Sequence, residues 1–110
     1  MAKIKVDFTL TKPAGSRLIM AIDPEGAAGE VNLQFDANGK ASKMLEADSY
    51  FAMLWHFIGD HDNAMKVAWS AKGLSGTAAE DKIDRDQDRQ YPGGKFWSSG
   101  ASALHTPRTS

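Results

Sequence analysis

Ile4, Val6, Phe8 and Leu10 alternate without a miss against Lys3, Lys5, Asp7, Thr9 and Thr11. A period of two puts every apolar side chain on one side of an extended chain, so this stretch is expected to be a strand with one buried and one wet face. The following Lys12-Pro13-Ala14-Gly15-Ser16 supplies a proline that ends pairing and a glycine free to turn. From Arg17 to Ile22 the core row resumes with Leu18, Met20 and Ile22, but Ile19 and Ala21 make the opposite side apolar as well. Asp23-Pro24-Glu25-Gly26 reads as the closing turn.

Val31, Leu33 and Phe35 alternate with Glu30, Asn32 and Gln34 to predict a third strand. Within Asp36 to Lys40, the Asn38-Gly39 pair favours a tight hairpin turn. A hairpin is therefore expected here, leading into a short strand within Ala41 to Ser49. Lys43, Met44, Leu45, Glu46 and Ala47 are good helix formers, yet their place just past a hairpin turn argues for a strand, with a turn from Glu46 to Ser49. Tyr50 to Ile58 and Ala64 to Ala71 flank the polar cluster Gly59 to Asn63 and read as another hairpin. If Phe51, Met53, Trp55 and Phe57 share a face with Met65, Val67 and Trp69, all lie at odd positions, which an odd loop centred on His61 satisfies.

These short strands without a βαβ crossover predict an all-β fold: a small antiparallel sandwich or open barrel of about six to seven strands. Phe35-Asp36-Ala37-Asn38-Gly39-Lys40-Ala41, followed by Leu45 and Tyr50, has an immunoglobulin-like strand-turn-strand cadence, too generic to name a family. The domain is expected over residues 1–72, with 73–110 as a polar extension rich in Gly, Ser and charge. In that extension Thr77 to Glu80 has capping-box spacing and Asp81 pairs with Arg85 at i,i+4, so a short solvated helix over 78–90 is considered. Phe96, Trp97 and Leu104 are its exceptions, expected to dock on the domain or on a neighbouring subunit.

Composition narrows the function classes. The chain has 110 residues, 42% hydrophobic and 25% charged, as in an ordinary globular domain. A net charge of -1 and a pI near 6.3 provide no bulk field for nucleic acid or an anionic membrane. No cysteine is present, which excludes disulfides and thiolate chemistry. The charged N-terminus lacks a signal-like apolar run, and Tyr50 to Gly59 is half a spanning helix, so a soluble cytoplasmic protein is expected, with signal-independent export left open.

Candidate chemistry is sparse. Asp84, Asp86 and Asp88 resemble the opening of a calcium loop, but Arg89 and Lys95 stand where its glycine and bidentate glutamate belong, so the run reads as solvated charge. His56, Asp60, His61 and Asp62 carry metal-ligating groups without a known ligand spacing; a metal-dependent enzyme at His56, Asp60 and His61 is the one enzymatic alternative, and no metal or cofactor is expected. Ser75 lacks an elbow or a base and reads as linker.

Two binding readings remain. Tyr50, Leu54, His56 and Ile58, beside Ile19, give the sheet a second apolar face, which points to a homo-oligomer or to docking on a protein partner. Alternatively, exposed Tyr50, Tyr91 and Trp97 with Asp60, His61, Asp62 and Asn63 could form a carbohydrate site. Trp55 and Trp69 are expected in the core.

Overall fold

The alternating row of the first segment is buried as the period requires: Ile4, Val6 and Phe8 are almost fully excluded from solvent in β1 (Lys3–Thr11). A computed structural model describes residues 2–24 and 31–108, with the side chains of Pro24, Val31 and Tyr91 outside the description. The closing turn expected after Asp23 lies largely outside the described residues. The remaining strands are β2 (Arg17–Pro24), β3 (Val31–Leu33), β4 (Lys40–Glu46), β5 (Tyr50–Gly59), β6 (Ala64–Ala71), β7 (Leu74–Lys82), β8 (Arg89–Tyr91) and β9 (Lys95–His105). No helix forms among the described residues, and none is long and apolar enough to cross a membrane.

The strands build two antiparallel sheets, a four-stranded one in the order β4-β1-β6-β7 and a five-stranded one in the order β3-β2-β5-β9-β8. Between them lies one core, to which Ile4, Val6, Phe8, Met65 and Val67 come from the first sheet and Met20, Ile22, Phe51, Met53, Phe57 and Leu104 from the second. The protein is thus an all-β sandwich, as its patterning predicts. The immunoglobulin fold keeps its first two strands in one sheet, whereas here β1 and β2 lie in opposite sheets.

Both expected hairpins are corrected. β5 and β6 do not pair: β5 lies between β2 and β9, and β6 between β1 and β7. The loop at residues 60–63 crosses from one sheet to the other, so Phe51, Met53 and Phe57 face Met65 and Val67 across the core rather than along a ladder. Asn38-Gly39 likewise sits in a crossing turn, because β3 pairs with β2 and β4 with β1. Gly39, at φ 75°, brings its carbonyl to 2.7 Å from the Leu10 amide, and a β-carbon there would stand 2.5 Å from the Leu10 oxygen. That approach needs glycine.

The extension expected after Lys72 is instead part of the sandwich. Lys72 and Gly73, at φ 53° and 79°, make a two-residue turn of the twisted type that hairpins favour, and β7 pairs along the whole of β6. The register shifts between Val67 and Ala68, which leaves Ala78 as an extra residue and lets both Ala78 and Ala79 be buried. The solvated helix considered over 78–90 is therefore absent: residues 78–82 are strand and Ile83 is fully buried. β9 enters the second sheet beside β5 over its full length, from Phe96 opposite Gly59 to His105 opposite Tyr50.

Edge protection is visible at β4, where Lys43 stands opposite Val6 on the core-facing side, a charge that discourages edge-to-edge pairing. The C-terminal end is held by Thr106, fully buried, whose hydroxyl donates to the Glu46 carbonyl at 2.7 Å and accepts from the Ser49 amide at 2.9 Å. Thr106→Val keeps the shape but orphans both groups, and is expected to cost about 1–3 kcal/mol. A chemical denaturation midpoint, at unchanged m-value, reads that loss.

Candidate functional site

The two outward faces of the sandwich differ in chemistry. On the four-stranded sheet the outward positions are Lys3, Lys5, Asp7, Thr9 and Thr11 of β1, paired with Glu46, Met44, Ser42 and Lys40 of β4 and with Lys66 and Ser70 of β6. That surface is wet and charged. On the five-stranded sheet the even positions of β5 point outward, and the register sets Ile19 against His56, Ala21 against Leu54, and Ala101 and Ala103 of β9 against Leu54 and Ala52. Arg17, Asp23 and Arg89 occupy its margins.

All five residues expected at an interface therefore share one face. Ile19 and Tyr50 are the most open, at 49% and 57% exposure, while Leu54 and His56 are half-buried. Ile58 differs: it lies between Arg17 and Trp97 in the ladder and is only 9% exposed, so it supports the face from beneath rather than presenting itself.

Trp97, expected as a sugar platform, belongs to this same face. Its ring stacks on His56 with centroids 4.5 Å apart, and the Arg89 guanidinium stands 5.6 Å from its centroid. The Ser99 hydroxyl lies 3.3 Å from His56 Nδ1. At the other end Tyr50 stacks on His105 at 4.3 Å, and His105 Nε2 lies 2.9 Å from Asp48, which also faces Arg108 at 3.6 Å. Cross-strand aromatic and histidine pairs of this kind stiffen the surface that carries them. Trp97 is expected from the sequence at a different site and His105 at none, because their strand lies in a segment with little apolar patterning. Of Tyr91, the backbone pairs with Lys95, and its side chain lies outside the described residues.

No family model, no curated protein and no solved structure matches the chain. Its chemistry must be read from its own residues.

The loop Asp60, His61, Asp62 and Asn63 sits at a sheet crossing and is knitted to its neighbours. Asp60 receives the Lys95 ammonium at 3.1 Å, and its own amide donates to the Asn63 side chain at 2.9 Å. His61 Nδ1 accepts the Arg85 amide at 3.1 Å, and Asp62, at φ 70°, lies 3.6 Å from Lys82. Among the described residues no three metal-ligating side chains converge, so His56, on the sheet face, and Asp60 and His61, in the loop, do not form a common site. Asp84, Asp86 and Asp88 form a turn in which Asp84 Oδ1 accepts the Asp86 amide at 3.0 Å and Asp88 Oδ2 accepts the Asp84 amide at 2.6 Å. Carboxylates used in this way cap a turn rather than open outward as a ligand set.

Trp55 points inward and its indole N–H donates to Asp81 at 2.8 Å, while Ser98 donates to the other oxygen of that carboxylate at 3.2 Å. The Ser102 hydroxyl donates to the Ala78 carbonyl. This polar seam ties β7 of one sheet to β5 and β9 of the other, which satisfies a half-buried carboxylate and closes one side of the sandwich.

Proposed function

We propose that the protein is a non-enzymatic interaction module that self-associates through the outer face of its five-stranded sheet. The observation that supports this reading is the contrast between the two outward faces. One carries lysines, carboxylates and hydroxyls with Met44 and Ala68 set singly among them, and the other carries Ile19, Leu54, small alanines and two stacked aromatic–histidine pairs, with charge only at the margins among the described residues. An antiparallel sheet needs one apolar face for its core, and a second one is the composition of an interface centre. A carbohydrate platform uses the free faces of its rings, and one face each of Trp97 and Tyr50 already carries a stacked histidine.

Sedimentation of the intact chain over a concentration series tests the proposal. Reversible association is expected, and Ile19→Glu, at a half-exposed position that the core does not use, is expected to weaken it at least tenfold while leaving the unfolding midpoint within about 0.5 kcal/mol. Leu54→Asp should act in the same direction and more strongly, because it places an unpaired carboxylate nearer the centre. A strictly monomeric chain at millimolar concentration would remove the proposal.

A further inference from the structure

β3 ends at Leu33, opposite Met20, while β2 runs on through Ile19, Leu18 and Arg17. Continued in register, Gln34, Phe35 and Asp36 would stand opposite those three residues. They do not, because the crossing turn draws the chain toward the other sheet. The Asp36 amide donates to the Lys40 carbonyl at 2.9 Å, its carboxylate accepts the Asn38 and Lys40 amides at 2.9 and 3.0 Å, and the Gly39 carbonyl is held by the Leu10 amide. Among the described residues no backbone hydrogen bond joins Arg17–Ile19 to the departing segment. The result is a groove of about 910 Å³ between the edge of β2 and residues 34–39.

The two sides of the groove differ. Leu10, Leu18 and Phe35, all half-buried, line its inner side and pack against the core. On the outer side stands Arg17, exposed, with no carboxylate within ion-pair distance among the described residues. Lys12, also at the rim, is committed to the Ser16 carbonyl at 2.7 Å, and the Asp36 carboxylate to its own turn.

We propose that this groove takes an extended segment of a partner protein as an added strand beside β2, with apolar residues at alternate positions and an acidic residue opposite Arg17. Strand addition fits because the backbone amides and carbonyls of β2 that point away from β5 lack a ladder there, and a bound segment supplies one. The alternation follows from the pleat: one set of side chains enters against Leu10, Leu18 and Phe35, and the other lies on the outer face beside Arg17 and Ile19. The acidic residue follows from the cross-strand rule, since a carboxylate directly opposite Arg17 is attracted and a lysine there is repelled. This site adjoins the apolar face proposed for self-association and shares Ile19 with it, while Leu10, Leu18 and Phe35 belong to the groove alone.

The test is selection from a random heptapeptide display library on the immobilised full chain, followed by amide chemical-shift mapping with the selected peptides. Enrichment of alternating apolar sequences with one Asp or Glu is expected, with shifts at Arg17–Ile19 and Gln34–Ala37. Replacing the acidic residue of the peptide by Lys should weaken binding about fivefold, and the Arg17→Glu protein should reverse that preference. Arg17 is exposed, so the spectrum of unbound Arg17→Glu is expected to stay folded. The proposal is overturned by a library without enrichment, by selected peptides that shift amides elsewhere, or by a charge preference that Arg17→Glu leaves unchanged. Saturable shifts of the groove amides by decanoate, with no peptide selected, would assign it to a small amphipathic acid. Concentration-dependent shifts of the inner groove amides, Leu18 and Gln34–Ala37, without added peptide would assign the groove to a second copy, and either result overturns the proposal too.

Discussion

A chain ending at Lys72 is expected not to fold. Truncation there removes β7, β8 and β9, so that β6 keeps only β1 as a partner and β5, the central strand of the five-stranded sheet, loses one of its two ladders. The core loses Ala78, Ala79, Ile83 and Leu104, all of which are buried. Deletions of this extent exceed the 5–15 kcal/mol that typically separates folded from unfolded domains. A proton–nitrogen correlation spectrum of the truncated chain should show collapsed amide dispersion. Dispersed signals with a cooperative unfolding transition would contradict the placement of β9 inside the sheet.

Gly100→Val should be strongly destabilising. Gly100 lies directly opposite Trp55 in the ladder, and the indole covers its α-carbon: an added β-carbon would stand 2.6 Å from Trp55 Cε2 and closer still to Cζ2. The ring is not at the free end of a flexible side chain, because its N–H is anchored on Asp81 at 2.8 Å. Overpacking and the loss of a hydrogen bond to a carboxylate together are expected to cost about 2–4 kcal/mol. Urea denaturation of the pure variant measures the loss, and a red-shifted tryptophan emission identifies displacement of the ring as its cause. An unchanged midpoint would mean that the glycine–tryptophan pairing carries no stability.

The same pairings explain what could and could not be read from the chain. β1 was legible because Ile4, Val6 and Phe8 are large and their outward neighbours charged. β7 and β9 were not, since their inward positions hold Ala78, Ala79, Ser98, Gly100 and Ser102, residues whose smallness makes room for the two inward tryptophans or whose polarity serves the seam around Asp81. Trp69 likewise lies opposite Gly76, where an added β-carbon would stand 2.7 Å from its indole nitrogen. A large residue on one strand thus erased the hydrophobic signal on its neighbour.

The misread hairpins have a different cause. The odd positions of β5 and β6 do face one core, but a shared core is satisfied equally by strands side by side and by strands in opposite layers. Parity carries no information on which of the two holds, and turn residues such as Asn38-Gly39 serve a crossing as well as a hairpin. The outer-face residues Ile19, Tyr50, Leu54 and His56 were legible because the two-sided apolarity of β2 and β5 is local in the chain. Their companions Trp97 and His105 arrive from a distant strand, and although Trp97 stands out as an aromatic, no local pattern places either of them on this face.

The position of β9 also sets an order of events during synthesis. It leaves the ribosome after both of its neighbours, yet it must enter between β5 and β8, so β5 waits with an unpaired edge and apolar side chains on both faces while residues 60–94 are made. At ordinary elongation rates that interval is on the order of seconds, long compared with hydrophobic collapse. The nascent chain is then at its most adhesive, and conditions that slow translation between residues 60 and 94 should lower the yield of folded protein more than equal delays elsewhere.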